Sequence, residues 1–248
     1  MKKLSLAIAL VVAAAALPTV SIAEDGLAYN VAAVSDYRYR GISQSRLKPA
    51  LQAGVDFTKG PFYLGAWAST IKWVKDAKGD ASVEVDLYGG YKGAITKDLA
   101  FDVGALRYGY PRAVTTAWSA TPYANPNTTE LYAALSYGPV TAKYSHGLSK
   151  LFGNLNSKNS HYLDLSATFD LAGYSVVPHV GYQQVKNTAN ASYIDYALTV
   201  SKDFNGLVPS LAVVGTDADK RFYLPGAQAN SSQFLGKTAV VVGLKYNF

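Results

Sequence analysis

The last eleven residues of the chain alternate in character, and this stretch constrains the fold more than any other. Every second residue from Val240 to Phe248 is apolar, while the positions between them hold polar, small or compact side chains. A period of two residues is typical of a β-strand with one apolar face and one more polar face. The apolar face ends in two aromatic rings, because Tyr246 precedes the terminal Phe248 by two positions.

This ending resembles the terminal strand of Gram-negative outer-membrane β-barrels, which the barrel assembly machinery reads as a signal. An apolar stripe that finishes in aromatic residues suits a strand face that meets lipid and its interfacial girdle. We therefore expect Tyr246 and Phe248 to form an outer-membrane assembly signal. The alternation alone leaves a second interpretation open, which is the closing strand of a soluble all-β domain.

The amino terminus has the three parts of a secretory signal peptide. Lys2-Lys3 is the basic region, residues 4–17 are apolar, and Ser21-Ile22-Ala23 supplies small residues for cleavage. We predict a signal peptide at 1–23 and an outer-membrane β-barrel at 24–248. The alternative is an uncleaved anchor, although about 14 apolar residues are few for a spanning helix.

The composition favours dispersed membrane-facing residues over a soluble core. Hydrophobic residues make up 49% of the chain and charged residues 16%, below the roughly 25% charged residues of soluble domains. No stretch after the signal is long enough for a transmembrane helix, so the apolar residues are spread out as in an alternating barrel. Nineteen tyrosines suit the bilayer–water boundary, and the absence of cysteine excludes a disulfide framework. The net charge of +6 comes without a Lys/Arg block, so we expect no nucleic-acid partner.

Twelve segments have the length and alternation of tilted membrane-spanning strands, which need about ten residues each. Pro178 and Pro209 fall within two of them and remove ladder donors, so we expect bulges or breaks there. Ten or fourteen strands remain possible, because the third and eleventh segments are apolar on both faces. The segments cover residues 27–41, 49–58, 62–73, 81–92, 99–110, 130–137, 140–148, 161–170, 174–183, 193–204, 207–215 and 238–248.

Short and long connections alternate along the chain. The even-numbered segments are followed by tight turns, among them Asn205-Gly206, a favoured two-residue hairpin turn. The odd-numbered segments are followed by mostly longer polar loops, the longest at 111–129 and 216–237. Transmembrane barrels have short periplasmic turns and long outer loops, whereas a soluble sandwich has no reason to sort its loops. The sequence therefore predicts an all-β fold, a transmembrane antiparallel β-barrel of about 12 strands with periplasmic termini.

Charged residues inside the predicted strands identify the inner face, because an arginine facing lipid at mid-membrane costs about 2–4 kcal/mol. The most unusual cluster lies in the first segment, where Asp36, Arg38 and Arg40 share one face. One interpretation is a pore wall that orients polar solutes. The other is an ion-pair network that fills the lumen, with the two arginines paired to acids such as Glu84 and Asp86. The predicted pore-lining residues are Asp36, Arg38, Arg40, Asp56, Glu84, Asp86, Lys92, Asp102, Glu130, Lys143, Asp164, Asp195 and Lys245.

Residues 35–44 (SDYRYRGISQ) and 48–52 (KPALQ) resemble the opening of the TorF family of proposed porins, first catalogued as conserved hypothetical proteobacterial proteins (Gcw_chp). Residues 62–69 (FYLGAWAS) and 84–91 (EVDLYGGY) are similar to the next two blocks of that family. The resemblance is specific through these blocks and diffuse beyond them, apart from the terminal strand. It implies an outer-membrane barrel that conducts small solutes, without a known substrate.

We predict a porin-like outer-membrane channel for the passive diffusion of small polar solutes. Its constriction loop would be residues 216–237, because Phe222-Tyr223-Leu224-Pro225 is too apolar for a freely solvated loop. The basic outer loops, with Lys72, Lys75 and Lys78 in one of them, would contact lipopolysaccharide phosphates as well as outer-membrane lipid.

The sequence predicts no catalytic residue, cofactor or metal site. Three histidines and no cysteine make a zinc site improbable, and Ser145 and His146 point to opposite sides of one strand. Two alternatives stay open. One is an outer-membrane hydrolase whose Ser–His pair meets across strands, and the other is a structural or adhesive barrel plugged by its own side chains.

Overall fold

The computed structural model describes residues 25–226 and 232–248, so the predicted signal peptide at 1–23 lies outside the described residues. Alternating sequence becomes strand throughout, and the outer loops carry two four-residue helices. The elements are β1 (Gly26–Val34), β2 (Arg38–Tyr39), β3 (Ile42–Ser43), β4 (Ala50–Lys59), β5 (Phe62–Thr70), α1 (Trp73–Asp76), β6 (Val83–Ala94), β7 (Leu99–Gly109), α2 (Thr116–Ser119), β8 (Thr128–Tyr137), β9 (Val140–Gly147), β10 (His161–Ala167), β11 (Phe169–Leu171), β12 (Tyr174–Gln184), β13 (Tyr193–Ser201), β14 (Leu207–Thr216) and β15 (Ala239–Asn247).

The wall is a closed antiparallel barrel of twelve strands, which confirms the predicted architecture and strand number. Each wall strand pairs with the next one along the chain, and β10 and β11 together form one strand beside β12. The ring closes between β1 and β15, where Asn30 lies opposite Asn247 and Val34 opposite Gly243. Both described ends of the chain therefore lie at the end of the barrel that carries the short turns.

The outer surface of the barrel is apolar, as the alternation predicts. Val240, Val242 and Leu244 of β15 are 61%, 55% and 48% exposed, whereas Gly243 between them is buried. The same alternation repeats around the wall, so large aliphatic and aromatic side chains cover the outside. An apolar belt of this extent is unfavourable in water and favourable against hydrocarbon.

A proline accounts for the interruption between β10 and β11. The register that pairs Ser166 with His179 and Phe169 with Val176 places Ala167 opposite Pro178. Since proline has no N–H to donate, the ladder lapses at this point. The expected break at Pro209 is wrong, because β14 runs through it and the Pro209 carbonyl accepts a bond from the Lys202 N–H.

The first strand is shorter than predicted, ending at Val34 and not at residue 41. Beyond it, Arg40 and Gly41 have φ values of 45° and 77°, which a strand cannot accommodate. Residues 35–49 form a loop inside the barrel mouth, called the plug loop below. Asp36, Arg38 and Arg40 therefore do not line one face of a wall strand.

Within residues 25–226 and 232–248, no helix is both long and apolar enough to cross a bilayer.

Candidate functional site

The plug loop turns back on itself in a hairpin whose tip reaches across the lumen. Strands β2 and β3 pair through Arg38–Ser43 and Tyr39–Ile42, and two residues with positive φ join them. Such a two-residue turn requires φ > 0 at both positions, which glycine tolerates at the second. Gly41 is also confined by the wall, because an added Cβ would lie 2.8 Å from the Asp195 Cβ.

Arg40, at the hairpin tip, joins the plug loop to the opposite wall. Its Nη2 lies 2.7 Å from Oε2 of Glu130 on β8, and its Nη1 donates to Oε1 of Gln183 on β12 at 2.6 Å. The guanidinium also lies 4.1 Å from the ring centre of Tyr162 on β10. Arg40 and Glu130 are 9% and 2% exposed, so this ion pair is buried and charge-assisted.

Arg38 and Asp36 bind each other and the segment just before the last strand. The Arg38 Nε lies 2.5 Å from Oδ2 of Asp36, and its Nη1 donates to the carbonyls of Leu235 at 3.0 Å and Lys237 at 3.1 Å. Asp36 also accepts from the Ser43 hydroxyl at 2.5 Å. The expected pairing with wall acids holds for Arg40, although its partner is Glu130 and not Glu84 or Asp86. It is wrong for Arg38, because the hairpin turns Arg38 back onto Asp36 of its own loop.

Glu84 and Asp86 lie on one face of β6, below the plug loop. The Tyr37 hydroxyl donates to Oε1 of Glu84 at 2.9 Å, and the Tyr37 ring packs edge-on against Trp67 at 5.3 Å. Asp86 is fully buried, accepts no hydrogen bond from a hydroxyl, amide or amine of the described residues, and interacts with the neighbouring Glu84 carboxyl. Since two adjacent buried carboxyl groups are costly to ionise, this position is a local source of instability.

Four of the remaining predicted residues, two acids and two lysines, face the interior with tyrosines as partners. Tyr88 donates to Asp56 at 2.5 Å and Tyr63 to Asp102 at 2.6 Å. The ammonium groups of Lys143 and Lys92 lie 4.1 Å and 5.6 Å from the ring centres of Tyr132 and Tyr63. Lys245 of β15 is half-buried between the exposed Leu244 and Tyr246. The residues around this part of the lumen are less buried than those around the plug loop.

A third group surrounds His179 on β12. Its Nε2 lies 3.2 Å from Asp195 and 3.6 Å from Asp164, and it meets the Tyr162 hydroxyl at 3.1 Å. No hydrogen bond joins a serine hydroxyl to a histidine ring in the described chain, since His146 bonds only to the Tyr144 hydroxyl. Nor does this part of the chain hold three or more His, Cys, Asp or Glu side chains arranged for a metal ion.

The loop predicted to constrict the channel, residues 216–237, extends over the barrel mouth in its described part, where Phe222 packs with Leu151 and Gly226 lies beside Asp76. Tyr223 donates to the Ala191 carbonyl at 2.5 Å and packs edge-on against Tyr193, at the outer ends of the wall strands. Its apolar residues pack against Ile42 and Leu47 of the plug loop as well as against other outer loops, and residues 227–231 lie outside the described chain. Hydrogen bonds from Arg221 lower the pKa of Asp219, in the same loop, to about 2.

The two aromatic residues of the predicted assembly signal meet at the barrel seam. The Phe248 ring stacks on Tyr246 at 5.8 Å and on Tyr29 of β1 at 5.9 Å. Phe248 and Tyr29 also exchange two backbone hydrogen bonds, of 2.9 and 3.0 Å. Both rings of the signal are therefore on the outer, apolar surface.

Sequence reasoning missed the aromatic partners of the plug loop. The Tyr39 hydroxyl donates to the Tyr108 hydroxyl at 2.9 Å. The Tyr162 ring stacks against the Arg40 guanidinium, and Gln183 accepts a hydrogen bond from Arg40. These residues were on the predicted strands, but no local signal connected them to Arg40. The Arg40-Gly41 pair, which suits a two-residue turn, was the signal that the charged cluster leaves the wall.

Comparison with known structures identifies the fold. The KdgM porin, solved in complex with disordered oligogalacturonate, matches with a TM-score of 0.56 and 9% identity, over 90% of this chain and 98% of that one. The NanC porin matches with a TM-score of 0.53 and 12% identity, over 89% of this chain and 99% of that one. At these identities the likeness shows a shared barrel fold. Curated proteins provide no match.

The model of one protein family covers nearly the whole chain. Its description is "Bacterial protein of unknown function (Gcw_chp)", and the match extends over residues 21–248. The name TorF is not part of that description, so this part of the resemblance stays a prediction. The matched range includes the plug loop, the entire wall and the terminal strand, and on this ground the chain belongs to the Gcw_chp family.

Proposed function

We propose that the protein is an outer-membrane channel through which small polar solutes diffuse passively. The observation that carries this proposal is the reversal of polarity across the wall, with an apolar outside and charged, tyrosine-rich contacts inside. A charge on the lipid side would cost about 2–4 kcal/mol at the bilayer centre, so only a membrane-embedded barrel with a polar interior suits this arrangement.

The two porins of shared fold support the same class of function, and one of them, the KdgM porin, was solved in complex with oligogalacturonate. The interior of this chain carries both charge signs, with Arg40 already neutralised by Glu130. We therefore propose no selectivity for anions. The predicted pore-lining residues of the wall would line the solute path, and the hairpin tip would form its narrowest point.

Several parts of the proposal concern the cell and not the barrel itself. Residues 1–23 would direct export, and Tyr246 and Phe248 would be read by the barrel assembly machinery. The basic outer loops would meet lipopolysaccharide, since Lys72 and Lys75 are exposed there. We propose no enzymatic role, because no serine hydroxyl of the described chain is hydrogen-bonded to a histidine ring, as a hydrolase of the Ser–His type would require.

A second candidate is a plugged barrel with a structural or adhesive role, and the buried plug loop favours it. Arg38, Arg40 and Tyr37 are all less than a tenth exposed, so the loop is packed into the mouth and not merely laid across it. The two candidates differ in one measurable property, which is the current through the intact protein.

Planar-bilayer recording of two proteins separates these functions. One is the intact chain and the other has residues 36–47 replaced by a short Gly-Ser linker. We expect discrete current steps from the intact chain and larger steps from the shortened one. Current from the shortened chain alone would establish the plugged barrel, and silence from both, with folded barrels confirmed by heat-modifiable electrophoresis, would refute the channel.

A further inference from the structure

The outer end of the barrel holds a pocket of about 420 Å³, a size typical of small-molecule sites. Its floor is the plug loop, at Tyr39 and Ile42, and its sides come from the loops that carry α1 and α2 and from the outer loops after β9 and β14. The pocket is thus built by loops that are far apart in the chain. It borders the charged interior at Gln183, the residue that accepts a hydrogen bond from Arg40.

The lining of this outer pocket is dominated by aromatic rings. Trp73 and Trp118 meet edge-on at 6.4 Å, Phe152 packs edge-on against Tyr39 at 5.3 Å, and Tyr123 lies against Trp118 at 6.0 Å. Ring faces and edges attract flat apolar molecules and other aromatic rings. Tyr123 is 43% exposed, so part of this surface is accessible from outside.

The polar groups around the outer pocket are largely engaged, apart from the buried Trp73 indole N–H, which has no hydrogen-bond partner among the described residues. The Asp76 carboxylate is paired with Arg46, and the Ser43 hydroxyl donates to Asp36. The Asn154 amide donates to the Leu151 carbonyl at 3.0 Å. A sugar entering the pocket would leave hydroxyl groups without partners, which costs free energy. The charge of Lys78 is on an exposed side chain, where it attracts an anion only weakly.

We infer that the outer pocket binds an uncharged aromatic small molecule, stacked on the exposed ring of Tyr123 beside Trp73, with the buried Trp118 supporting both rings. The inference goes beyond the proposed channel, because binding at the outer end does not require conduction. A molecule held there would sit directly above the hairpin tip. Failure of binding would leave the channel proposal intact, and a silent barrel would leave this one intact.

Saturation-transfer NMR on the protein in lipid nanodiscs tests the inference, with empty nanodiscs correcting for partition into lipid. The probes are 1-naphthalenemethanol, its charged relative 1-naphthoate, and methyl β-D-glucoside. We expect saturable binding of the neutral aromatic probe and weaker binding of the other two. Equal or tighter binding of naphthoate or the glucoside, or no saturable binding of any probe, would overturn the inference.

Variants locate the site. Tyr123→Ala and Phe222→Ala each remove one lining ring from a different loop, and each should weaken binding of 1-naphthalenemethanol by about threefold or more. Phe62→Ala is the matched control, because it removes a 61%-exposed ring at the opposite end of the barrel and should leave affinity unchanged. Unchanged affinity in both lining variants, or equal loss in the control, would show that the probe binds elsewhere.

Discussion

Arg40 shows how a single residue holds the plug loop across the lumen. Its guanidinium bonds to Glu130 and Gln183 and stacks on Tyr162, so three wall strands meet at one side chain. A buried ion pair contributes little net stability, because desolvation of both charges offsets their attraction. Breaking it is nevertheless expensive, since the remaining charge stays buried and unpaired. Arg40 therefore acts mainly on the position of the loop.

Replacing Arg40 with alanine should destabilise the barrel and widen its mouth. Glu130 would be left buried without its cation, which lowers the free energy of unfolding by about 3–5 kcal/mol. Urea unfolding in vesicles measures this loss, and planar-bilayer recording should show larger current steps than the unmodified protein.

Two control variants test whether the loss of stability comes from the buried charge. Arg112→Ala breaks an exposed pair with Asp80 and should change stability by less than about 1 kcal/mol. The double variant Arg40→Met with Glu130→Leu removes both buried charges and should be more stable than Arg40→Ala alone. A double variant as unstable as the single one would mean that shape, and not charge, holds the hairpin tip.

The buried acids differ in their partners, and this difference predicts opposite effects of the same substitution. Among the described residues, Asp86 accepts no hydrogen bond from a hydroxyl, amide or amine and lies against the Glu84 carboxyl, whereas Asp195 accepts from Tyr162 at 3.0 Å and faces His179. Asp86→Asn should raise the free energy of unfolding by about 1–3 kcal/mol, and Asp195→Asn should lower it by a similar amount. Urea unfolding of both variants checks this, and destabilisation by Asp86→Asn would contradict it.

At the residue scale, the sequence predicted which strand residues face inward but not which ones meet. A period of two assigns a side chain to one face without any knowledge of the fold. Partners such as Arg40 and Glu130 are 90 residues apart, and only the closed barrel brings them together. The pairing expected for Glu84 and Asp86 was therefore wrong, although their strand face was right.

Among the elements, the plug hairpin is the one that was predicted wrongly, as the end of the first strand. Tyr37 to Arg40 alternate between aromatic and basic residues, and this pattern is the same in a strand as in a short hairpin. Whether this segment forms a strand or a hairpin depends on Gly41, where the backbone takes a positive φ and the wall leaves no room for a Cβ. The wall strands were predictable because each is long, alternating and bounded by turn residues.

Gly41→Ala should displace the hairpin, and Gly60→Ala provides the matched comparison. Both glycines have positive φ, but a Cβ at Gly60 would meet nothing within 4 Å, while one at Gly41 would collide with Asp195 and Thr216. Gly60→Ala should lower the free energy of unfolding only by the conformational cost of an alanine at positive φ, about 1–2 kcal/mol. Gly41→Ala should lower the free energy of unfolding by more than this and should make the plug loop sensitive to added protease. Equal losses would show that the hairpin tip has room to adjust.

For the whole molecule, closure of the ring decides whether the polar interior exists at all. The chain returns to its own beginning through the β1–β15 pairing, which is the last one to become available along the chain. The alternating pattern and the loop lengths predicted this architecture, since an unpaired edge is unsatisfied in a membrane. The plug loop and the outer pocket were not predictable, because they depend on loop packing that has no period.

The terminal residue should be disproportionately important for assembly of the whole barrel. Phe248 adds two backbone hydrogen bonds and two ring contacts to the seam with Tyr29 and Tyr246. Deleting it should lower the fraction of heat-modifiable, folded protein in the outer membrane several-fold, as electrophoresis of membrane fractions would show. Phe204→Ala is the control, because this 54%-exposed ring lies at the same end of the barrel but away from the β1–β15 seam. If the two variants assemble equally well, the seam closes without help from the terminal ring, and the proposed assembly signal lies elsewhere.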